Sequence, residues 1–373
     1  MHVTSVHSGD DVRIRYKEVR ALSGGGFDVT LITQRSGRLL NDGVRLVIVP
    51  ASSGRLARFL FAPFRLAVVI SSIHPRIIHF HDPELLPLGL WLAFRRQQVI
   101  YDVHEDTPRQ ILDKHYLPQI LRRPLAWLVE TLERASFNSF AAFAVATPEI
   151  GRRFPASKTV LVQNFPQLSE FNIVNIDNYD DRGPNFAYVG GITAARGARE
   201  MVQALYLATQ STNVVLKLAG KFNQSLQQEL EALPGWKHVD FVGWVDRDAT
   251  VDLLRECRAG LVLFHPDANH VKAQPNKMFE YMAAGLPVIA SDFPLWREII
   301  AGADCGILVD PLDPQAIATA MRWIIDHPEE SRAMGERGQK AVKEHYNWEI
   351  EQKGLVALYR RLVGTPDLTP TTP

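Results

Sequence analysis

Residues 274–292 read QPNKMFEYMAAGLPVIASD. Pro275 and Asn276 form a turn, and the residues after them have the spacing of an amphipathic helix. Gly285-Leu286-Pro287 ends that helix, and the apolar, β-branched run behind it predicts a buried strand. A helix that feeds a short strand through a glycine is one repeat of an α/β sheet. Glu280 lies inside the helix beside Phe279, Tyr281 and Met282, one turn after Lys277. The free N–H groups around Asn276, Lys277 and Met278 would receive an anion, and Lys277 adds a full charge. Glu280 can accept two hydrogen bonds from vicinal hydroxyls such as a ribose pair. A solvent-facing helical Glu would show the same pattern.

The same alternation fills the chain on both sides of this stretch. Strands are predicted at 2–7, 27–33, 45–50, 76–82, 98–105, 142–147 and 159–164. A second series falls at 185–191, 214–220, 239–244, 259–265, 287–292 and 306–311, with helical patterns between. The polar, acidic, Pro/Gly-punctuated residues 166–184 divide the two series. The chain reads as two doubly wound Rossmann-like domains, 1–165 and 185–345, joined by that linker. Helices close the chain before residue 363, and the tail 364–373 has nothing to bury. Sheets of this kind bind ligands outside the carboxyl ends of their strands, so a central cleft between the domains is the expected site.

A chain of 373 residues, 46% hydrophobic, is long enough for two substantial cores. Its formal net charge is zero but unevenly spread: residues 1–165 hold 21 Lys/Arg against 14 Asp/Glu, and the remainder 20 against 27. A basic first half suits phosphate or an anionic membrane. Cys257 and Cys305 are too few for a disulfide framework or a metal site. The N-terminus lacks the pattern of a signal peptide, and no uncharged run reaches the ~18 residues of a membrane span. A cytoplasmic protein is expected.

Several motifs carry chemistry. In NFAYVGGITAARGAREMVQAL (185–205) Gly190 and Gly191 let backbone approach a ligand, and Arg196 stands at a helix entrance where a cation would meet a diphosphate. The spacing is not that of a dinucleotide fingerprint. SGGG (23–26) follows a helix and reads as its C-cap. DRD (246–248) invites a metal reading, but Asp248 is better read as a helix cap. IIHFHDPELL (77–86) and VIYDVHEDTP (99–108) each end a strand with His beside carboxylates, so His81, Asp82, His104 and Glu105 converge, able to position hydroxyls or act as acid and base. HSGDDVRIRYKEV (7–19) puts Ser8, Gly9, Asp10 and Asp11 in the first loop, before a helix whose Arg13, Arg15 and Lys17 oppose its dipole. An anionic neighbour or simple solvation would account for those cations. GRLARFLFAPFRLAVVI (54–70) interleaves Arg55, Arg58 and Arg65 with Phe59, Phe61 and Phe64, the pattern of a core stripe with a solvated rim or of a face lying on anionic lipid.

Taken together, these residues resemble the family 4 glycosyltransferases of the GT-B fold. YVGGITAARG, VDFVGWV and NKMFEYMAAGLPVIASDFP resemble the donor domain, and HDPELLPLGL, YDVHED and LVQNFP the acceptor domain. The resemblance covers almost the whole chain and is nearest to bacterial enzymes of capsule, O-antigen or exopolysaccharide synthesis. It implies a retaining, metal-independent transferase that uses a nucleoside-diphosphate sugar and a glycan or lipid-linked acceptor, with no cofactor and no nucleic-acid partner. It is compatible with peripheral contact of the basic N-terminal domain with the inner face of the plasma membrane.

By resemblance, Arg196 holds the donor diphosphate with Gly190 and Gly191, Asn276 to Met278 meet the phosphates, and Glu280 binds the ribose. Gly220 and Lys221 lie beside the nucleotide, and Trp244 and Val245 border the base. His104 touches the transferred sugar, while Gly9, Asp10, Asp11, Arg13, His81 and Asp82 face the acceptor. The last helix, within 346–363, crosses back to the first domain. Two positions depart from the family pattern: Lys272 stands where an acidic residue is usual, and Gly191 where an Arg is common. The alternatives are a nucleotide-sugar epimerase of the same architecture and a non-catalytic nucleotide-sugar-binding protein.

Overall fold

The computed structural model describes residues 1–35, 43–50, 55–113, 117–171, 179–267 and 269–364, the side chains of 55–61 and 113 excepted. The chain divides into two compact units, Met1–Asn164 together with the chain from Trp348, and Phe165–Asn347. In the first unit the strands are β1 (His2–Val3), β2 (Thr30–Thr33), β3 (Arg45–Ile48), β4 (Ile77–Phe80), β5 (Gln98–Val103), β6 (Ala142–Val145) and β7 (Thr159–Leu161). They form one parallel sheet in the order β3-β2-β1-β4-β5-β6-β7. The second unit has β8 (Asn185–Val189), β9 (Val215–Ala219), β10 (Val239–Gly243), β11 (Ala259–Val262), β12 (Val288–Ser291) and β13 (Gly306–Val309), in the order β10-β9-β8-β11-β12-β13. Every strand expected from the sequence is present, each shorter than its apolar run, and in all but β2 the run includes the turn at the strand's carboxyl end. Both sheets are covered on both faces, which is why the strands read as continuous apolar runs.

The order of each sheet reverses once, between β1 and β4 in the first unit and between β8 and β11 in the second. Loops leaving the carboxyl ends of those neighbouring strands diverge to opposite faces and leave a crevice. The stretches that open there are Thr4–Ser5 and His81–Asp82 in the first unit, and Gly190–Gly191 and Leu263–His265 in the second.

Two findings refine the expected organisation. The segment expected to be a linker supplies Phe171 and Tyr179 as buried side chains, and Phe165 just before it is buried edge-on against Phe279 at 4.7 Å. Its residues 172–178, like the tail beyond 364, lie outside the described residues. The helix Trp348–Val363 belongs to the first unit: Trp348, Leu355 and Tyr359 are buried with Ile14, Leu22 and Ile77, and Gln98 donates to the Leu362 carbonyl at 3.1 Å. SGGG is a helix end, with Gly25 capping Arg20–Gly24. Among the described residues no helix is long and apolar enough to cross a membrane.

Candidate functional site

In the second unit three neighbouring strands run into glycines, and there the backbone is crowded. Gly220 has φ +147°, and a Cβ on it would meet the Gly190 carbonyl oxygen at 1.8 Å, so no other residue fits. Gly197, φ +75°, likewise turns against the Leu263 carbonyl as it opens the helix Ala198–Ala208. Against this floor lie two cations. Arg196 donates to the Gly191 carbonyl at 3.3 Å and stands 5.3 Å over the Phe264 ring. Lys277 is buried, with its Nζ 3.5 Å from the centre of the Tyr188 ring and no hydrogen-bond acceptor. Burial first, and Arg196 second, push its ammonium well below the usual lysine range. Lys277 opens the helix Asn276–Ala283, whose N-terminus has no side-chain cap. Two positive side chains and a helix N-terminus therefore meet at the sheet's switch point, a site built for an anion.

Glu280 does not face solvent. It accepts from Arg247 at 2.6 Å, and Arg247 also pairs with Glu170. The guanidinium holds one carboxylate oxygen and fixes the side chain, leaving the other for hydroxyl donors. Asp246, rather than Asp248, caps the helix Arg247–Arg255, accepting from the Ala249 N–H at 3.0 Å. Trp244 is exposed, with the Lys221 ammonium 5.7 Å from its ring, and Val245 packs against the apolar core.

In the first unit a buried polar cluster gathers where β1, β4 and β5 end. Asp82 accepts from the Thr4 hydroxyl at 2.8 Å and the Ser5 N–H at 2.7 Å. Its side chain makes no cap for the following helix. Asp102 is the hub. Arg13 donates to both its oxygens (2.8 and 3.3 Å), His81 Nδ1 lies at 3.0 Å and His104 Nε2 at 2.5 Å. Burial would raise the Asp102 carboxyl, but Arg13 and His104 outweigh it and hold it well below the usual range. Glu18 is also buried there, 2.9 Å from Arg13; burial and the Asp102 charge push it well above the carboxylate range. Glu18 and Asp102 thus share one guanidinium.

Asp11 caps the π-helical turn Val12–Val19 through the Ile14 N–H and holds His7 Nδ1 at 3.0 Å. Burial alone would raise the Asp11 carboxyl, but these two hydrogen bonds bring it down to about 2. Gly9 accepts from Arg15 at 3.2 Å through its carbonyl, and Asp10, beside it, is half-buried.

Some of these groups have metal-ligand chemistry. Glu18, His81, Asp102 and His104 offer atoms within 4.8 Å of one another, as do His2, Glu18 and His79. The Arg13 guanidinium already lies between Glu18 and Asp102 and supplies the positive charge a metal would bring. The donor set fits a bound cation poorly.

A family model for glycosyl transferases group 1 matches residues 170–341, and one for glycosyltransferase family 4 matches residues 16–160. The chain is a family 4 glycosyltransferase. It is 25% identical to the D-rhamnosyltransferase WbpZ of Pseudomonas aeruginosa over 280 residues, 72% of this chain and 69% of the relative. It is 21% identical to the phosphatidyl-myo-inositol mannosyltransferase of Mycobacterium leprae over 379 residues, 93% and 89% of the two chains. Its fold matches sucrose-phosphate synthase of Thermosynechococcus elongatus with a TM-score of 0.74 at 19% identity, covering 97% of this chain and 98% of that one. HepE of Anabaena, solved with UDP-glucose, matches at 0.71 and 14% identity, covering 96% and 99%. The architecture is that of the GT-B glycosyltransferases.

On this transferase the structure brings Gly190, Gly191, Arg196, Gly220 and Lys277 together at one switch point, and His81, Asp82 and His104 at the other. Three expectations change. Arg13 is buried and spends its guanidinium on Asp102, Glu18 and the Val162 carbonyl, so it does not face an acceptor. His81 is likewise buried behind His104. The cations expected at the start of the first helix are neither solvated nor free for a ligand: Arg15 reaches the Gly9 carbonyl and Lys17 the Asn164 amide oxygen at 2.6 Å. Sequence reasoning missed Arg247, Asp102, Glu18 and His7. His7 lies four residues beyond β1, at the end of the strand expected over 2–7, and that position was the available signal.

Proposed function

We propose that this enzyme moves a sugar from a nucleoside-diphosphate donor to a hydroxyl of a glycan or lipid-linked acceptor, with retention and without a metal, in bacterial cell-surface polysaccharide synthesis. The observation that carries the reading is the buried Lys277 ammonium, unpaired beneath Gly190 and next to Arg196. An unsatisfied buried cation is costly, and a diphosphate would satisfy it. Arg196, Lys277 and the helix N-terminus at Asn276–Met278 would then neutralise the departing nucleoside diphosphate, the task a divalent ion performs elsewhere. Glu280, held by Arg247, takes the ribose, Trp244 and Val245 border the base, and Gly220 and Lys221 lie beside the nucleotide. Glu280, Asp82 and Asp102 are each held by protein donors rather than set as the nucleophile of a covalent intermediate. This favours attack from the face the diphosphate leaves, with the leaving phosphate taking the acceptor proton. His104 contacts the transferred sugar. Gly9, Asp10 and Asp11 form the acceptor-side loop, and Asp82 holds that loop in place.

The first unit also carries a membrane contact in this reading. Phe64, Trp91, Phe94, Ile120 and Trp127 are exposed on the helices Arg55–Ile73, Leu86–Phe94 and Gln119–Ser139, which pack in one layer among exposed Arg65, Arg95, Arg96 and Arg123. Aromatic and basic side chains mixed on one face suit anionic lipid. Of the expected 54–70 stripe, residue 54 and the side chains of Arg55, Arg58, Phe59 and Phe61 lie outside the described residues.

Arg196→Ala and Glu280→Ala, assayed with a panel of nucleotide sugars and cell-surface acceptors, test the site. Transfer should fall by at least ~100-fold in each while the fold persists. Wild-type rates in both would refute it, and epimer formation from donor alone would favour an isomerase instead.

A further inference from the structure

His104 ends a chain of buried hydrogen bonds that starts on the last helix. His79 Nδ1 lies 2.9 Å from the Tyr359 hydroxyl, that hydroxyl 3.0 Å from His2 Nε2, and His2 Nδ1 2.9 Å from His81 Nε2. His81 Nδ1 and His104 Nε2 then meet the same Asp102 oxygen, at 3.0 and 2.5 Å. His2, His79, His81, Asp102 and Tyr359 are all buried.

Each proton in this chain has one consistent place. Asp102, ionised against Arg13, can only accept, so both imidazoles donate to it. Their 3.3 Å contact with each other joins two donors aimed at one oxygen. With its proton on Nδ1, His81 must accept at Nε2, so His2 donates from Nδ1. His2 Nε2 then accepts from the Tyr359 hydroxyl, whose oxygen accepts from His79 Nδ1. His79 Nε2 is left as a bare lone pair, and that buried atom indeed has no partner. His104 carries its proton on Nε2, and its Nδ1 has no protein partner among the described residues.

We propose that this chain fixes His104 in the Nε2–H tautomer, so that its outward Nδ1 is a permanent acceptor for a substrate hydroxyl, with Asp102 and Tyr359 as positioning residues. The inference rests on the reading that His104 meets substrate. An imidazole free to switch tautomers would present a donor part of the time and lose that selectivity.

The wild-type enzyme supplies the first test. Long-range 1H–15N spectra of histidine-labelled protein, with His104 assigned by its loss in His104→Ala, should show the Nε2–H form at His104 and the Nδ1–H form at His81. An Nδ1–H tautomer at His104 overturns the proposal, and so does a stoichiometric divalent ion in elemental analysis. Asp102→Asn keeps the shape but offers an amide N–H; kcat should fall on the order of 100-fold with both KM values within about threefold, and His104 should switch tautomer. A folded Asp102→Asn enzyme with wild-type kcat overturns the proposal. Tyr359→Phe acts remotely, and should lower kcat about 3- to 10-fold and broaden the His2 and His81 signals. If Asp102→Asn does not fold, unchanged His2 and His81 signals in Tyr359→Phe count against the chain. Wild-type transfer by His104→Ala would remove the functional reading of His104 alone, because the spectrum still decides the tautomer.

Discussion

Lys277→Met should make the enzyme more stable and its nucleotide binding weaker. Met fills the same channel under the Tyr188 ring without a charge. In the ligand-free protein the Lys277 ammonium is buried, lacks an acceptor and has Arg196 as a second cation nearby. A buried unsatisfied polar group costs about 1–3 kcal/mol, more when charged, and the ring face 3.5 Å away returns about 1–2. Removing the charge should therefore stabilise the second unit by about 1–2 kcal/mol, a rise of roughly 2–8 °C for a unit of this size. A charge-assisted hydrogen bond to phosphate contributes about 1.5–3 kcal/mol, so affinity should drop roughly 10- to 150-fold. Scanning calorimetry without ligand and titration calorimetry with UDP and GDP read the two effects separately. The pH dependence has a definite sign. With the folded pKa below 10.5, the unfolded chain binds more protons between the two values, so wild-type stability rises with pH across that window and the Met variant loses the rise. A variant that is less stable without ligand and binds both nucleotides normally would show that Lys277 is only a structural clamp.

Arg247→Ala should raise the donor KM about tenfold and leave kcat within a few-fold, because Glu280 loses the group that aims it; initial rates over a donor series check this. His7→Gln tests a pH limb. Burial opposes charging of His7, but Asp11 and Asp82 raise its pKa above the usual value, so its stabilising contribution is full below pH ~6.5 and fades as pH rises through the raised value. The variant should lose more stability at pH 6 than at pH 9 in urea titrations. Ile120→Ser with Trp127→Ser should cut co-sedimentation with vesicles rich in anionic lipid several-fold while transfer to a soluble acceptor analogue is unchanged.

Much of this enzyme was legible in its sequence, for a physical reason. Strands buried on both faces must be apolar throughout, so β4, β5, β11 and β12 announce themselves without reference to their partners. Gly190 and Gly220 mark the crevice because only glycine allows the backbone so close. Pairings across long sequence separations stayed hidden. Arg13 reads as a misplaced surface cation until Asp102, 89 residues away, neutralises it. Glu280 reads as a lone carboxylate until Arg247 arrives from another helix. His2 and Tyr359 lie 357 residues apart, and no local pattern in either joins them.

The helix Trp348–Val363 has a consequence for how the polypeptide is made. Its side chains complete the core around Ile14, Leu22 and Ile77, yet it leaves the ribosome only after the entire second unit. At roughly 5–20 residues per second, the nascent first unit waits on the order of ten to forty seconds with an apolar sheet face uncovered. A clone that stops after β7 would keep that face bare and end up in inclusion bodies. Fusing a linker and the helix directly behind residue 164 should rescue it.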